Sequence, residues 1–277
     1  MKKILLPTDF SDNAWNAIKY AVQLYKNEKC NFILLNTYTP IIYQVEYLQA
    51  STPQLQVLEI VKETSKRKLS ELIQTIKKEF DNPNHTFTQI SAFNTLTAEI
   101  DELYEGNVMD IIVMGTKGAT GLKEVLFGSN TVHVLKNAKC PVIAIPSGFS
   151  FETPHEILFP TDYEIDYQDK HLQPILDITA MYNTRVNILH VLYGGDISER
   201  QEQIRLKLEN FFNKTAYLFH NVKNQNIAEA ITRFQLKARI NLLVMINNKH
   251  SFFENLFFKS TINQIGFHLN IPFLVIP

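Results

Sequence analysis

Cysteine is almost missing from this 277-residue chain, which holds only Cys30 and Cys140, far apart in sequence. A secreted domain more often shows an even, clustered set, so the pair fits a reducing compartment and reads as two small buried hydrophobes. Long apolar runs are missing too. None approaches the roughly 20 residues of a membrane helix, and the opening MKKILLPTDF has only Ile4-Leu5-Leu6 between its lysines and Pro7. That is too short for the apolar region of a signal peptide, roughly 7 to 15 residues. The opening therefore reads as a first strand, and the chain as soluble, cytoplasmic and without a membrane partner. Charge of one sign is also lacking. Lys and Arg number 27 against 28 Asp and Glu, a net charge of −1 that provides no field to draw in nucleic acid.

Glycine is scarce but not scattered. Four of the nine, Gly115, Gly118, Gly121 and Gly128, fall in the segment GTKGATGLKEVLFGSN. A second segment, Ile246 to Thr261 (INNKHSFFENLFFKST), contains none. The two are related by an internal repeat, which organises the chain. Lys3-Ile-Leu-Leu-Pro-Thr-Asp9 recurs as Glu156-Ile-Leu-Phe-Pro-Thr-Asp162, an offset of 153 (162 − 9). Ile111-Ile-Val-Met114 recurs as Leu242-Leu-Val-Met245, and Cys140-Pro-Val-Ile-Ala-Ile-Pro146 as Ile271-Pro-Phe-Leu-Val-Ile-Pro277, both at an offset of 131 (242 − 111). The first half thus carries 22 extra residues (153 − 131), placed around Tyr38 to Leu55. The polar segment 147–155, SGFSFETPH, reads as a linker. Two domains follow, 1–147 and 156–277.

Each half alternates apolar runs with amphipathic stretches. Ile4 to Leu6, Phe32 to Leu35, Thr86 to Ser91, Asp110 to Met114 and Val142 to Ile145 read as strands, several too uniformly apolar for a sheet with one wet face. A first helix, capped by one of Ser11, Asp12 and Asn13, places Ala14, Ile18, Ala21, Val22 and Tyr25 on one face. A second runs from about Leu55 to Phe80, with Leu58, Val61, Leu69, Leu72, Ile73 and Ile76 inward and its charges on a solvated face. Such alternation implies right-handed crossovers. The expected fold is α/β: two tandem, open, mostly parallel five-stranded sheets flanked by helices, Rossmann-like in class.

An open parallel sheet binds ligands beyond the carboxyl ends of its strands. The glycine segment follows Ile111-Ile-Val-Met114 and so lies at such an end. Glycines let backbone approach an anion, and a helix opening at Gly128-Ser129-Asn130-Thr131 presents unpaired N–H groups with partial positive charge. Ser129 and Thr131 add hydroxyl donors there. Neither G-x-G-x-x-G nor G-x-x-x-x-G-K-[ST] is present, so the residues alone leave two readings open, a phosphate cradle and a plain glycine-rich connection.

The arrangement resembles the universal stress protein family, whose nucleotide-binding members carry G-x2-G-x9-G-[ST]. Here the pattern reads Gly115-x2-Gly118, nine residues from Ala119 to Phe127, then Gly128-Ser129. The Pro7-Thr8-Asp9 strand end, with Ser11 beyond it, and the Cys140-Pro141-Val142 strand agree. The resemblance covers both halves and implies a tandem member of adenine nucleotide alpha hydrolase-like fold. It also implies ATP as ligand, with Mg²⁺ as its companion. Asp9 then stands on the adenine or ribose side, with Pro7 and Thr8 shaping the adenosine end and Asn36 near the adenine. Met114, Gly115, Gly118, Gly128, Ser129, Asn130 and Thr131 stand on the phosphate side. Ala119 departs from the family, many members of which have Arg there. The second half keeps Pro160-Thr161-Asp162 but has Ile246, Lys249, Phe252 and Lys259 at the glycine positions, so it is expected to bind no nucleotide, with Asp162 a turn or cap residue.

No nucleophile motif is present, and the eight histidines form no pair at helical ligand spacing, so no catalytic or metal residue is assigned. Any ATP hydrolysis should be slow, because Asp9 has no partner carboxylate for Mg²⁺ and no general base is evident. Two alternatives stay open beside an ATP-responsive stress or regulatory protein. One is an interaction module of the same fold that binds no nucleotide; the other is an adenylate-forming enzyme. The apolar surplus Tyr38 to Leu55 should pack either over the nucleotide or, the favoured reading, on the second half or another subunit. Each half's last strand, Val142 to Ile145 or Phe273 to Ile276, is a candidate edge for pairing the halves within the chain or building a homodimer. The protein partner is unknown from sequence.

Overall fold

The computed structural model describes residues 1–39, 52–116, 128–192, 197–223, 227–247 and 270–277. The chain divides into two compact units, Met1–Phe151 and Glu152–Pro277. In unit 1 the elements are β1 (Lys2–Pro7), α1 (Asp12–Leu24), β2 (Cys30–Thr37), α2 (Thr52–Glu79), β3 (His85–Ala92), α3 (Leu96–Glu105), β4 (Ile111–Gly115), α4 (Ser129–Asn137) and β5 (Val142–Ile145). All pairs are parallel, in the order β3-β2-β1-β4-β5. Strand order reverses between β1 and β4, which puts the switch point at the ends of those two strands.

The sequence explains this order. Ile4, Leu5 and Leu6 are fully buried, as is every residue of β4, because helices cover both faces of the central strands. β3, HTFTQISA, is the most polar of these strands and the least buried, as suits an edge. α1 starts where Ser11 Oγ accepts the Ala14 N–H at 3.2 Å, so of the three candidate caps Ser11 serves. Its inward face is Ala14, Ala17, Ile18, Ala21 and Val22, small enough to let the helix lie close on β4.

α2 begins at Thr52 and lies against β2 and β3. Of its expected inward residues Leu69 and Ile76 are fully buried, whereas Leu58, Val61, Leu72 and Ile73 are only half-buried. The stripe instead includes a serine, Ser65, 4% exposed. The rest of the apolar surplus, 40–51, lies outside the described residues.

The segment expected as a linker is not free at either end. Phe149 and Phe151 pack on Tyr20 at centroid distances of 6.2 and 5.3 Å, and Asn16 donates to the Phe149 carbonyl at 3.0 Å. Unit 1 therefore runs four residues past its expected end at 147 (151 − 147). Within unit 2, Asn241 accepts from the His155 and Glu156 N–H groups and donates to the Thr153 carbonyl, which ties 153–156 to the loop before a later strand.

Unit 2 repeats the plan with β6 (Glu156–Pro160), α5 (Asp169–Tyr182), β7 (Arg185–Leu192), α6 (Glu199–Phe212), β8 (Tyr217–Lys223), α7 (Ile227–Ala238), β9 (Leu242–Ile246) and β10 (Phe273–Ile276). Its parallel order is β8-β7-β6-β9-β10. Ile157 pairs with Leu242 as Ile4 pairs with Ile111, which confirms both sequence offsets in strand register. No described helix is long and apolar enough to cross a membrane.

Candidate functional site

At the carboxyl ends of β1, β2 and β4 lies a cleft of about 280 Å³. Pro7, Thr8, Asp9, Asn36, Met114, Gly115, Gly128, Ser129, Asn130 and Thr131 all line it, joined by Ala14, Leu35, Thr37 and Leu96. Gly118 lies outside the described residues. Three of the additions carried no polar signal in the sequence; Ala14 and Leu35 are apolar residues of core-facing elements, visible as wall only once the strands are aligned.

Thr8 anchors one side. Its N–H donates to the Leu35 carbonyl at 2.8 Å and its hydroxyl accepts the Phe10 N–H at 3.0 Å, which holds Phe10 at φ 63°. Asp9 is exposed, and its Oδ1 accepts the Ser11 N–H at 3.0 Å and hydroxyl at 2.6 Å. The Ser11 hydroxyl in turn caps α1, so one hydrogen-bonded chain sets both the Asp9 carboxylate and the helix start.

Asn36 is held by a relay that sequence reasoning missed. Ser91 donates to Ser65 at 2.9 Å, Ser65 to Asn36 Oδ1 at 2.7 Å, and Asn36 Nδ2 to the Thr8 carbonyl at 2.7 Å. Each end of the carboxamide thus holds a bond within the protein, which fixes Asn36 as part of the wall. The one sequence signal was a serine at an inward position of α2.

On the other side, glycine is required at 115. A Cβ there would stand 2.3 Å from Asn13 Nδ2 and 3.0 Å from the Asn13 carbonyl, so α1 occupies that space. The expected hydroxyl donor of Thr131 points elsewhere. Thr131 is 2% exposed and donates to the Gly115 carbonyl at 3.0 Å, because a buried hydroxyl takes the nearest backbone acceptor. What remains toward the cleft is the exposed Ser129 and Asn130 and the first turn of α4, whose N-cap Gly128 supplies no side-chain bond. Gly128 is instead tied by its N–H to the Thr116 carbonyl at 2.7 Å. This opening turn carries the partial positive charge of a helix N-terminus.

Both thiols lie at the other ends of their strands, Cys30 opening β2 and Cys140 preceding β5. Burial pushes them up to about 11 and about 12, so they are protonated at neutral pH and take no part in the cleft. Among the described residues no group of three His, Cys, Asp or Glu side chains could hold a metal ion.

The sequence model described as "Universal stress protein family" matches residues 1–146, the whole of the half that holds the cleft. The chain belongs to the universal stress protein family. It is 32% identical to Universal stress protein MJ0577 of Methanocaldococcus jannaschii, over 52% of this chain and 94% of that protein. Universal stress protein MJ0531 of the same organism is 30% identical, over 52% of this chain and 81% of that one. A crystal structure of a universal stress protein from Archaeoglobus fulgidus matches 99% of this chain and 97% of its own with a TM-score of 0.70; at 17% identity it shows the fold alone. This universal stress protein keeps the strand-end arrangement in both units, but in unit 2 Ile246 replaces Gly115 and Asp162 bonds the Glu164 N–H at 3.0 Å as a turn residue.

Proposed function

We propose that unit 1 binds ATP in this cleft and that the protein acts as an ATP-responsive stress or regulatory protein of the cytoplasm. The observation that carries the reading is the opposition of two walls. One, from Pro7 through Asn36, mixes Pro7 and Leu35 with polar side chains fixed by internal hydrogen bonds; the other is the uncapped first turn of α4 behind glycine backbone. An adenosine fits the first and phosphates the second. β2 runs on to Thr37, past β1's last paired residue Pro7, which leaves strand-end backbone for the edge of an adenine. The glycine at 115 and the side-chain-free N-cap fit a polyphosphate, since close backbone approach needs both. Mg²⁺ would enter on the phosphates; Asp9 is the carboxylate that lines the cleft.

Equilibrium dialysis of ATP against the wild type and Gly128→Val tests the reading. A branched side chain at the N-cap obstructs the phosphate wall and removes charge-assisted bonds worth about 1.5–3 kcal/mol each, so affinity should fall about tenfold or more. Unchanged affinity would overturn it.

A further inference from the structure

The strand ends of unit 2 hold two aromatic rings against the residues that match the walls of unit 1's cleft. Thr161 and His190 stand where unit 1 has Thr8 and Asn36, since Thr161 N–H donates to the Leu189 carbonyl at 2.9 Å as Thr8 does to Leu35. His190 Nδ1 bonds the Thr161 carbonyl at 2.8 Å, reproducing the Asn36 bond to Thr8. Tyr163 matches Phe10, with φ 56° and its N–H on the Thr161 hydroxyl at 3.0 Å. The two rings then go different ways. Phe10 is half-buried with the Lys68 ammonium 5.2 Å from its centroid, on the α2 side. Tyr163 is fully buried and stacks on His190 at 4.5 Å and 27°.

Tyr167 supplies the second ring. It lies in the segment that replaces the first turn of α1, where unit 1 has Asn13 and Ala14 beside Gly115. Its hydroxyl and the Thr161 hydroxyl share a hydrogen bond of 2.6 Å, and its ring meets Phe159 at 5.7 Å. Ile246, 6% exposed, stands at the strand position of Gly115, beside which unit 1 has Asn13 of α1. The Tyr163 hydroxyl has no hydrogen-bond partner among the described residues, so the ring and not the hydroxyl accounts for its place.

We infer that Tyr163, stacked on His190, is an internal occupant on the first wall of unit 2's counterpart of the cleft, and that it limits the protein to one nucleotide per chain. The stacked Tyr163–His190 pair covers the counterpart of the first wall, and Tyr167 and Ile246 stand where unit 1 has the first turn of α1; the counterpart of the second wall, 259–262, lies outside the described residues. The count of one rests on the proposed function of unit 1; the occupant itself does not.

Thermal unfolding of the full chain tests the occupant without nucleotide. Tyr163→Ala, or Tyr163→Leu if the first variant does not fold, should melt lower than wild type. Millimolar 4-methylphenol should return about 2–4 °C to the variant and nothing to wild type, as a ring-shaped probe fills the void. Tyr163→Phe should melt no lower than wild type. No probe-dependent rise in either variant, or an equal rise in wild type, would overturn the inference. Adenosine, which lacks phosphate, tests the count. Wild type should bind one, and Tyr163→Ala with Tyr167→Ala and Ile246→Gly should bind a second, more weakly. Two bound to wild type would overturn it. A variant that takes up 4-methylphenol while no chain binds adenosine would support the occupant and count against the reading of unit 1.

Discussion

The two units leave their first strands by the same turn and then part. In unit 1 four residues, 8–11, separate β1 from α1; in unit 2 eight, 161–168, separate β6 from α5. The early start brings Asn13 so close to β4 that only glycine fits at 115, and the late start leaves room for the side chain of Ile246. Loss of the glycine and retreat of the helix are therefore one change, not two. Unit 2 is less an eroded copy of the cleft than a repacked one, in which Tyr163 covers the first wall and Ile246 takes volume that unit 1 gives to the start of α1.

Substitutions that exchange the two solutions should break this contrast most. Ile246→Ala removes a buried side chain and should destabilise unit 2 by about 2–5 kcal/mol in urea unfolding. Gly115→Val forces atoms against Asn13 and should destabilise unit 1 by about 1–3 kcal/mol while weakening ATP binding; adding Asn13→Gly should return part of the stability. If Gly115→Val alone is neutral, the account of that glycine is wrong. Next in size is the wall residue. Asn36→Ala leaves the Thr8 carbonyl and the Ser65 hydroxyl short of partners and should cost about 1–3 kcal/mol. Asn36→His imports the solution of unit 2 and should cost less; an equal loss would show that the shared bond to the threonine carbonyl is not what matters.

A smaller difference lies in acid response. His220, on β8, bonds Asn187 Oδ1 at 3.0 Å, and burial, helped by Arg185, holds its pKa below 6.5. Its neutral form is thus favoured by folding, so the stability it carries is present above the unfolded value of about 6.5 and is lost as pH falls below that through the lower folded-state pKa. Unit 2 should melt lower at pH 5.5 than at 7.5, and His220→Gln should shrink that difference. The smallest effect expected is on the thiols. Cys30 and Cys140 should react with iodoacetamide at pH 8 far more slowly in the native chain than in urea, and fast native labelling would contradict their burial.

Much of this was legible in the residues. The repeat fixed which strands correspond, Ser11 stood among three candidate caps, and α4 begins at Ser129 where the glycine segment ends. The expected site residues that are described meet at one cleft because parallel strands of one sheet must end together. What the sequence hid was direction. Ser65 drew no reading among the apolar residues of α2, yet it is buried there because Asn36 and Ser91 offer it partners. Thr131 read as a donor to ligand, yet burial turned it to Gly115. Tyr163 and Tyr167 carried no motif at all, since only the late start of α5 lets Tyr167 stand where unit 1 begins its helix.

Native mass spectrometry of the full chain, titrated with ATP, tests the central contrast most directly. One bound nucleotide per chain in wild type, lost in Gly128→Val, is the result expected from one open cleft and one filled counterpart. Two nucleotides per wild-type chain, or one that survives in Gly128→Val, would contradict it.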